Sequence, residues 1–310
     1  MSYFFITLVT VAVMLLYAVP GYLMIKVKAV KQESIPAFAT LLMYVSQPCL
    51  MLYSFQRVEA SLPLVQNMVL FFCTTLLLQL IIMGAFFFCI RKKKEDVRYR
   101  ICTVASVFGN CAFLGVPLLE ALLPEYPEAI VFSNMFAVSM NLIGWTFGSY
   151  VISLDRRYIS IKKLILNPAV LACLVAIPLF AFHITLPDQL YRVVELLGRM
   201  TTPLCMLVMG MRLATIPLKR LFDKPFLYAM IGFKQILFPL IVFLIAFLLP
   251  VEQNIKITLF ILSCAPVASV VLNFAELIGE GQDTAANLVL LGTMASVLTI
   301  PVMSLLIPLL

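Results

Sequence analysis

Ten apolar stretches fill nearly all of this 310-residue chain, and each is long enough to cross a lipid bilayer. A bilayer core about 30 Å thick needs about 20 apolar residues in a helix. Because 63% of the residues are hydrophobic and only 12% are charged, little remains for a soluble domain. We therefore predict an all-α polytopic membrane protein with ten transmembrane helices. These segments 1–10 lie at roughly 4–27, 35–56, 64–90, 99–123, 129–154, 164–183, 188–213, 226–249, 254–278 and 284–308.

Basic side chains cluster in four connections, those that follow segments 1, 3, 5 and 7. Together they hold 17 of the 22 Lys and Arg residues: Lys26, Lys28, Lys31; Arg91, Lys92, Lys93, Lys94, Arg98, Arg100; Arg156, Arg157, Lys162, Lys163; and Arg212, Lys219, Arg220, Lys224. The other connections hold few bases and most of the acids, namely Glu120, Glu125 and Glu128 after segment 4 and Glu276, Glu280 and Asp283 after segment 9. Short basic connections stay in the cytoplasm. We therefore predict a multi-pass protein of the cell membrane (plasma or inner membrane) with both termini outside.

The net charge of +7 is explained by these connections, so we expect membrane lipids and no nucleic acid as partners. The eight cysteines all lie in apolar segments, without a Cys-x-x-Cys pair. We interpret them as membrane-embedded thiols and expect no disulfide, metal site or cofactor.

The two halves of the chain resemble each other. Residues 46–52 (SQPCLML) match residues 201–207 (TTPLCML) at an offset of 155, and Gln79 of segment 3 corresponds to Gln235 of segment 8. Segments 4 and 9 each contain a Gly or Pro in mid-span and end at an acid. We predict two five-helix repeats, 1–155 and 156–310. Five is an odd number, so the second repeat is inverted.

The interruptions in segments 4 and 9 lie at Gly109-Asn110 and at Pro266. Proline removes an amide donor and glycine weakens a helix. Backbone freed in the middle of a membrane survives only inside protein or beside a polar cavity. Broken helices at matching places of inverted repeats indicate the binding site of a transporter. The alternative is that these residues only kink helices for packing.

Two motifs carry a resemblance to a known family. Residues 110–117 (NCAFLGVP) resemble the Asn-Thr-x-x-x-Gly-Ile-Pro stretch of the auxin efflux carrier family. Ala265-Pro266, Phe274-Ala275-Glu276 and Ile300-Pro301 are similar to its closing motif. The resemblance spans the whole chain, and the family includes plant PIN carriers and bacterial permeases for malate or malonate.

The resemblance implies an elevator-type carrier with a fold like that of bile-acid symporters. Segments 1, 2, 6 and 7 would form a scaffold, and segments 3–5 and 8–10 a mobile transport domain, in a homodimer. Segments 4 and 9 would cross at their breaks beside the substrate. The substrate-binding candidates are Asn110, Cys111, Asn141, Thr146, Met51, Gln47, Pro266 and Asn273.

Departures from the plant pattern argue against auxin itself as the substrate. Gly109 stands where plant carriers have Pro, Thr146 where they have Tyr, and segment 3 offers Gln79 in place of an Asp and a Lys.

Two cations lie inside predicted spans, where a charge costs about 2.5–3.5 kcal/mol. Arg199 is either a ligand for a carboxylate or the ion-pair partner of Glu195. Lys234, beside Gln235, either couples transport to an ion by exchanging its proton or extends to the basic face. Lys234 and Gln79 are the ion-coupling candidates.

The leading hypothesis is a secondary transporter that moves a small organic anion, a carboxylate or an auxin-like weak acid. A sodium- or proton-coupled symporter or antiporter of the same fold is the alternative, although segments 3–5 lack an intramembrane Asp pair. A membrane sensor without transport is a further one. We expect no enzyme and no catalytic residue, because the lone His183 is peripheral and no Asp lies within a span.

Overall fold

The computed structural model describes residues 2–216 and 225–310, and this part of the chain contains twelve helices. The predicted basic residues Lys219, Arg220 and Lys224 lie outside these ranges. The helices are α1 (Tyr3–Lys26), α2 (Gln32–Gln56), α3 (Leu62–Cys89), α4 (Val97–Ala105), α5 (Cys111–Leu122), α6 (Glu128–Ser153), α7 (Arg156–Ala181), α8 (Asp188–Thr215), α9 (Pro225–Leu248), α10 (Gln253–Cys264), α11 (Val270–Ile278) and α12 (Gln282–Leu309).

Eight of the described helices are long and apolar enough to span a membrane. The other four are the halves of two predicted segments: α4 and α5 divide segment 4, and α10 and α11 divide segment 9. Both predicted interruptions are therefore present, at residues 106–110 and 265–269. The prediction of an all-α polytopic membrane protein is confirmed, while the number of ten crossings stays a prediction.

Three helices widen into a π turn just before a proline. The turns are Leu42–Ser46 before Pro48, Cys111–Gly115 before Pro117 and Phe233–Leu237 before Pro239. Proline has no amide to donate and its ring crowds the carbonyl four residues earlier, so the preceding turn opens. Several candidate residues lie in or beside these opened turns: Gln47, Asn110, Cys111 and Lys234.

Burial separates an inner set of helices from an outer set. The most apolar window of α6 is 72% buried inside the protein, whereas that of α1 is 22% buried. Exposed apolar side chains on α1, such as Phe5 and Leu16, are suited to lipid. The central helix α6 contacts α3, α5, α7 and α10, so the core lies around it.

Helices α1, α2, α7 and α8 pack in a matched pattern. The second half of α2, Gln47–Gln56, packs along the last part of α7, Pro168–Ala181, and the second half of α8, Thr201–Thr215, packs along Ala18–Lys26 of α1. In the contact between α1 and α8, Gly21 faces the backbone of Leu207 and Gly210 faces the backbone of Ala18. Small residues allow this close approach between membrane helices.

The connection after segment 9 is acidic, yet ten crossings with both termini outside put it on the same side as the four basic connections. Its acids contact arginines of those basic connections: Glu280 pairs with Arg100 at 3.2 Å and Glu276 pairs with Arg212 at 3.2 Å. Arg100 also donates a hydrogen bond to the carbonyl of Ile152, at the end of α6. This connection therefore lies beside the basic connections, on the face that we call the basic face.

The opposite face holds the connections after segments 2, 4 and 6. Arg57 pairs with Glu120 at 3.3 Å. The Gln56 amide donates to the carbonyl of Ile184 at 3.1 Å and accepts from the amide of Leu186 at 2.8 Å. These contacts gather the ends of α2, α5 and α7 at one end of the bundle.

We expect Gly210→Ala to destabilise the fold, because a Cβ at this position would overlap the carbonyl oxygen of Ala18. Forcing α1 and α8 apart should cost about 1–3 kcal/mol, seen as a lower Tm of the purified protein. Gly84→Ala in α3 is the matched control, since a Cβ there meets nothing within 4 Å and alanine favours a helix. Equal Tm values for the two variants would contradict this packing.

Candidate functional site

The two interruptions cross and bind each other through their backbones. The amide of Asn110 donates to the carbonyl of Pro266 at 2.8 Å, and the amide of Ala268 donates to the carbonyl of Phe108 at 3.0 Å. Gly109 and Val267 form an isolated antiparallel bridge between these bonds. Polar backbone groups freed by the breaks thus bind one another in the buried centre of the protein.

A cavity of about 60 Å³ lies beside this crossing. Its polar lining is dominated by four asparagines, which come from four different parts of the chain: Asn110, Asn141, Asn167 and Asn273. The remaining lining residues are Met43, Gln47, Gly109, Cys111, Ala112, Phe113, Ala137, Met140, Ala268, Ser269 and Val270. Within the described residues, this lining contains no charged side chain.

The asparagine amides differ in how far their hydrogen bonds are satisfied. Asn167 donates to the side-chain oxygen of Asn141 at 3.3 Å, and its own oxygen accepts from the amide of Ala169 at 3.0 Å. Asn273 contacts the sulfur of Met43 at 3.7 Å. Asn110 is 3% exposed, and its side-chain Nδ2 has no hydrogen-bond partner among the residues that the structure describes. A buried unpaired donor costs about 1–3 kcal/mol, so this amide is suited to an acceptor on a ligand.

The amino ends of α5 and α11 also lie at this cavity. Helices leave their first amides without intrahelical partners and carry partial positive charge at this end. Ala112 at the start of α5 and Val270 at the start of α11 both line the cavity. Two converging helix amino ends and the unpaired side-chain amide of Asn110 make the site a donor-rich environment for an anion.

Lys234 lies behind the crossing and not in the cavity lining. Its side chain is fully buried, and Nζ donates to the carbonyl of Ser263 at 2.8 Å. The ammonium lies 4.7 Å from the ring centroid of Phe238, and a Cβ built on Gly109 would be 3.4 Å from Nζ. This geometry excludes extension to the basic face, which was one of the two interpretations.

Gln79 and Gln235 join helices within the bundle. Ser139 of α6 donates to the Gln79 oxygen at 3.4 Å, and Thr299 of α12 donates to the Gln235 oxygen at 2.6 Å. Both glutamines are fully buried, and neither lines the cavity.

The structure brings together five of the predicted site residues, Gln47, Asn110, Cys111, Asn141 and Asn273. Pro266 contributes through its carbonyl, which holds the crossing.

Three other candidates lie elsewhere. Met51 is buried away from the cavity lining, and the Thr146 hydroxyl donates to the carbonyl of Leu142 at 2.6 Å. Arg199 lines a separate cavity of about 380 Å³ and donates to Glu195 at 3.0 Å and to the Tyr53 hydroxyl at 2.7 Å.

Asn167 is the site residue that sequence reasoning missed. Asn-Pro is a common start for a helix, and Asn167 does cap the piece of α7 that begins at Pro168. The available signal was that this polar residue falls inside predicted segment 6. Its contact with Asn141 depends on the packing of α7 against α6.

A larger cavity of about 250 Å³ continues from the site toward the basic face. Met43, Phe113, Ser269 and Asn273 line both cavities. The larger one passes between α2, α8, α11 and α12 to a mouth at Arg212, Glu276 and Asp283. The site is therefore reached from the basic face.

Comparison with known proteins agrees with this architecture. A family model described as a membrane transport protein matches residues 4–154 and 156–304. A search of curated proteins finds no match. Since the family match covers nearly the whole chain, and its two stretches include both crossing motifs, this protein belongs to the membrane transport protein family, the auxin efflux carrier family that residues 110–117 and 265–301 resemble.

Proposed function

We propose that this protein is a secondary transporter that moves a small organic anion across the cell membrane by elevator-type alternating access. The observation that carries the proposal is the donor-rich, uncharged cavity at the crossing, with the unpaired side-chain amide of Asn110 in its wall. Its donors fit a carboxylate, as in a dicarboxylate or a weak organic acid. The small cavity holds a group of only a few atoms, and the rest of the substrate extends into the 250 Å³ cavity.

The site lies between two groups of helices, as alternating access requires. We assign α1, α2, α7 and α8 with their connections as the fixed group, which supplies Met43, Gln47 and Asn167 to the cavity. We assign α3–α6 and α9–α12 with their connections as the mobile group, which supplies Asn110, Asn141 and Asn273. A substrate held by both groups is released when they slide past one another.

Inverted repeats at 1–155 and 156–310 are part of this proposal. The contact of α2 with α7 has its counterpart in the contact of α8 with α1. Likewise, the hydrogen bond from Ser139 to Gln79 joins segments 5 and 3, and that from Thr299 to Gln235 joins segments 10 and 8. We further propose a homodimer surrounded by lipid, with the basic face in the cytoplasm and both termini outside.

We expect Asn110→Ala to weaken ligand binding about 10- to 100-fold, because the variant loses a hydrogen bond to a charged acceptor. The measurement is a thermal-shift screen with malate, malonate, succinate and indole-3-acetate, followed by flux of any stabilising acid in liposomes. Asn254→Ala is the control, since Asn254 lies in the first turn of α10 and is not among the residues that line either cavity. The proposal fails if no organic acid is bound or moved, or if Asn110→Ala behaves like the control.

We propose that Lys234 takes the place of a bound sodium ion at the crossing and is the ion-coupling residue. Its Nζ already donates a hydrogen bond to the carbonyl of Ser263 beside the break. We expect equal flux of the stabilising acid in sodium and in potassium buffers. Lys234→Met should lower the flux at least tenfold, because the crossing loses its cation.

Leu237→Met serves as the matched control for Lys234→Met, because Leu237 belongs to the same π turn and its side chain is 51% exposed. A flux that depends on sodium in the unaltered protein would contradict this role of Lys234.

A further inference from the structure

Two ion pairs connect the fixed and mobile groups, one at each face. At the basic face, Arg212 near the end of α8 pairs with Glu276 near the end of α11 at 3.2 Å. At the opposite face, Arg57 after the end of α2 pairs with Glu120 near the end of α5 at 3.3 Å. In each pair the arginine belongs to the fixed group and the glutamate to the mobile group.

The two pairs occupy matching places in the two halves of the chain. Arg57 and Arg212 are 155 positions apart, and Glu120 and Glu276 are 156 positions apart. Pro48 and Pro203 show the same offset of 155.

Each pair also lies in the wall of a cavity at its own face. Arg212 and Glu276 line the 250 Å³ cavity that leads to the site, and Arg57 and Glu120 line a cavity of about 230 Å³ at the other face.

We infer that these ion pairs are positioning residues for transport, an inner latch (Arg212–Glu276) and an outer latch (Arg57–Glu120) that together fix one register of the mobile group against the fixed group. This inference rests on the proposed elevator movement. A shift of one helical turn, about 5.4 Å, is larger than the separation of either pair, so a shift of this size separates both latches. Because the mobile group moves as a unit, opening one latch favours opening of the other at the far face.

The exposure of the latches suits this role. The side chains of Arg212 and Glu276 are 24% and 50% exposed, and those of Arg57 and Glu120 are 28% and 42% exposed. Ion pairs this open to solvent are weak, so they bias an equilibrium without trapping the protein in one state. A third ion pair, Arg100–Glu280, joins α4 to the connection before α12, and both of its partners belong to the mobile group.

The test measures the outer latch while the inner latch is altered. Arg57→Cys and Glu120→Cys are introduced into a protein whose three cysteines that are not buried, Cys49, Cys73 and Cys89, are replaced by serine. The two cysteines replace the outer ion pair, so the rate of linking them with a short bifunctional thiol reagent reports how often positions 57 and 120 lie together, in the register that the inner latch favours.

Glu276→Gln at the far face is expected to lower this rate about two- to fivefold, the range for one exposed ion pair. The charge swap Arg212→Glu with Glu276→Arg should restore it. Glu280→Gln, which removes the ion pair inside the mobile group, should leave it unchanged. The inference is overturned if Glu276→Gln leaves the outer rate unchanged, or if Glu280→Gln lowers it equally.

The reciprocal experiment gives a second test if one of the first variants does not fold. Cysteines introduced by Arg212→Cys and Glu276→Cys are linked to each other, and Glu120→Gln at the far face is expected to lower this linking rate by the same factor. Because linking rates need no substrate, the two proposals fail separately. If the protein moves an organic acid but the far-face alteration does not change the linking rate, the latch proposal alone is overturned. Coupled latches in a protein that binds no organic acid would overturn only the transport function.

Discussion

The structure depends on one constraint: backbone polar groups in the middle of a membrane must find partners inside the protein. Residues 106–110 and 265–269 leave their helices in the buried centre of the protein, and each interruption supplies the partners that the other lacks. Neither interruption would be stable alone, because a freed amide or carbonyl in hydrocarbon costs several kcal/mol. The crossing therefore fixes α4, α5, α10 and α11 relative to one another. It also directs two helix amino ends at the same small volume.

The site that results is polar without being charged. Four asparagines and two helix ends offer directed dipoles, while Lys234 lies behind the crossing and donates to the Ser263 carbonyl. In the proposed elevator movement, full charges in this cavity would be costly to carry through the membrane. Neutral donors cost less to move and still favour an anion. The charged residues are instead at the two faces, where water reduces their cost.

Much of this could be predicted from the sequence, and the failures share a cause. Apolar length and the Gly and Pro positions predicted both interruptions, because these effects act within a few residues of the chain. The ion pairs of Glu276 and Glu280 were not predicted, because their arginine partners lie 64 and 180 residues away. Asn167 was missed for the same reason, since its local role as a helix cap gives no sign of Asn141 across the helix interface. Arg199 was expected either at a ligand or at Glu195, and only the packing of α8 against α2 separates it from the crossing.

The sequence by itself determined that the chain is a polytopic membrane protein of the auxin efflux carrier type, broken at two matching places. These properties follow from hydrophobic length and from the local chemistry of proline and glycine, which lipid enforces on each segment independently. The tertiary structure alone decided which side chains surround the crossing and which arginine pairs with which glutamate at each end of the bundle. Such contacts depend on how helices far apart in the chain pack together, and no local pattern of residues specifies that packing.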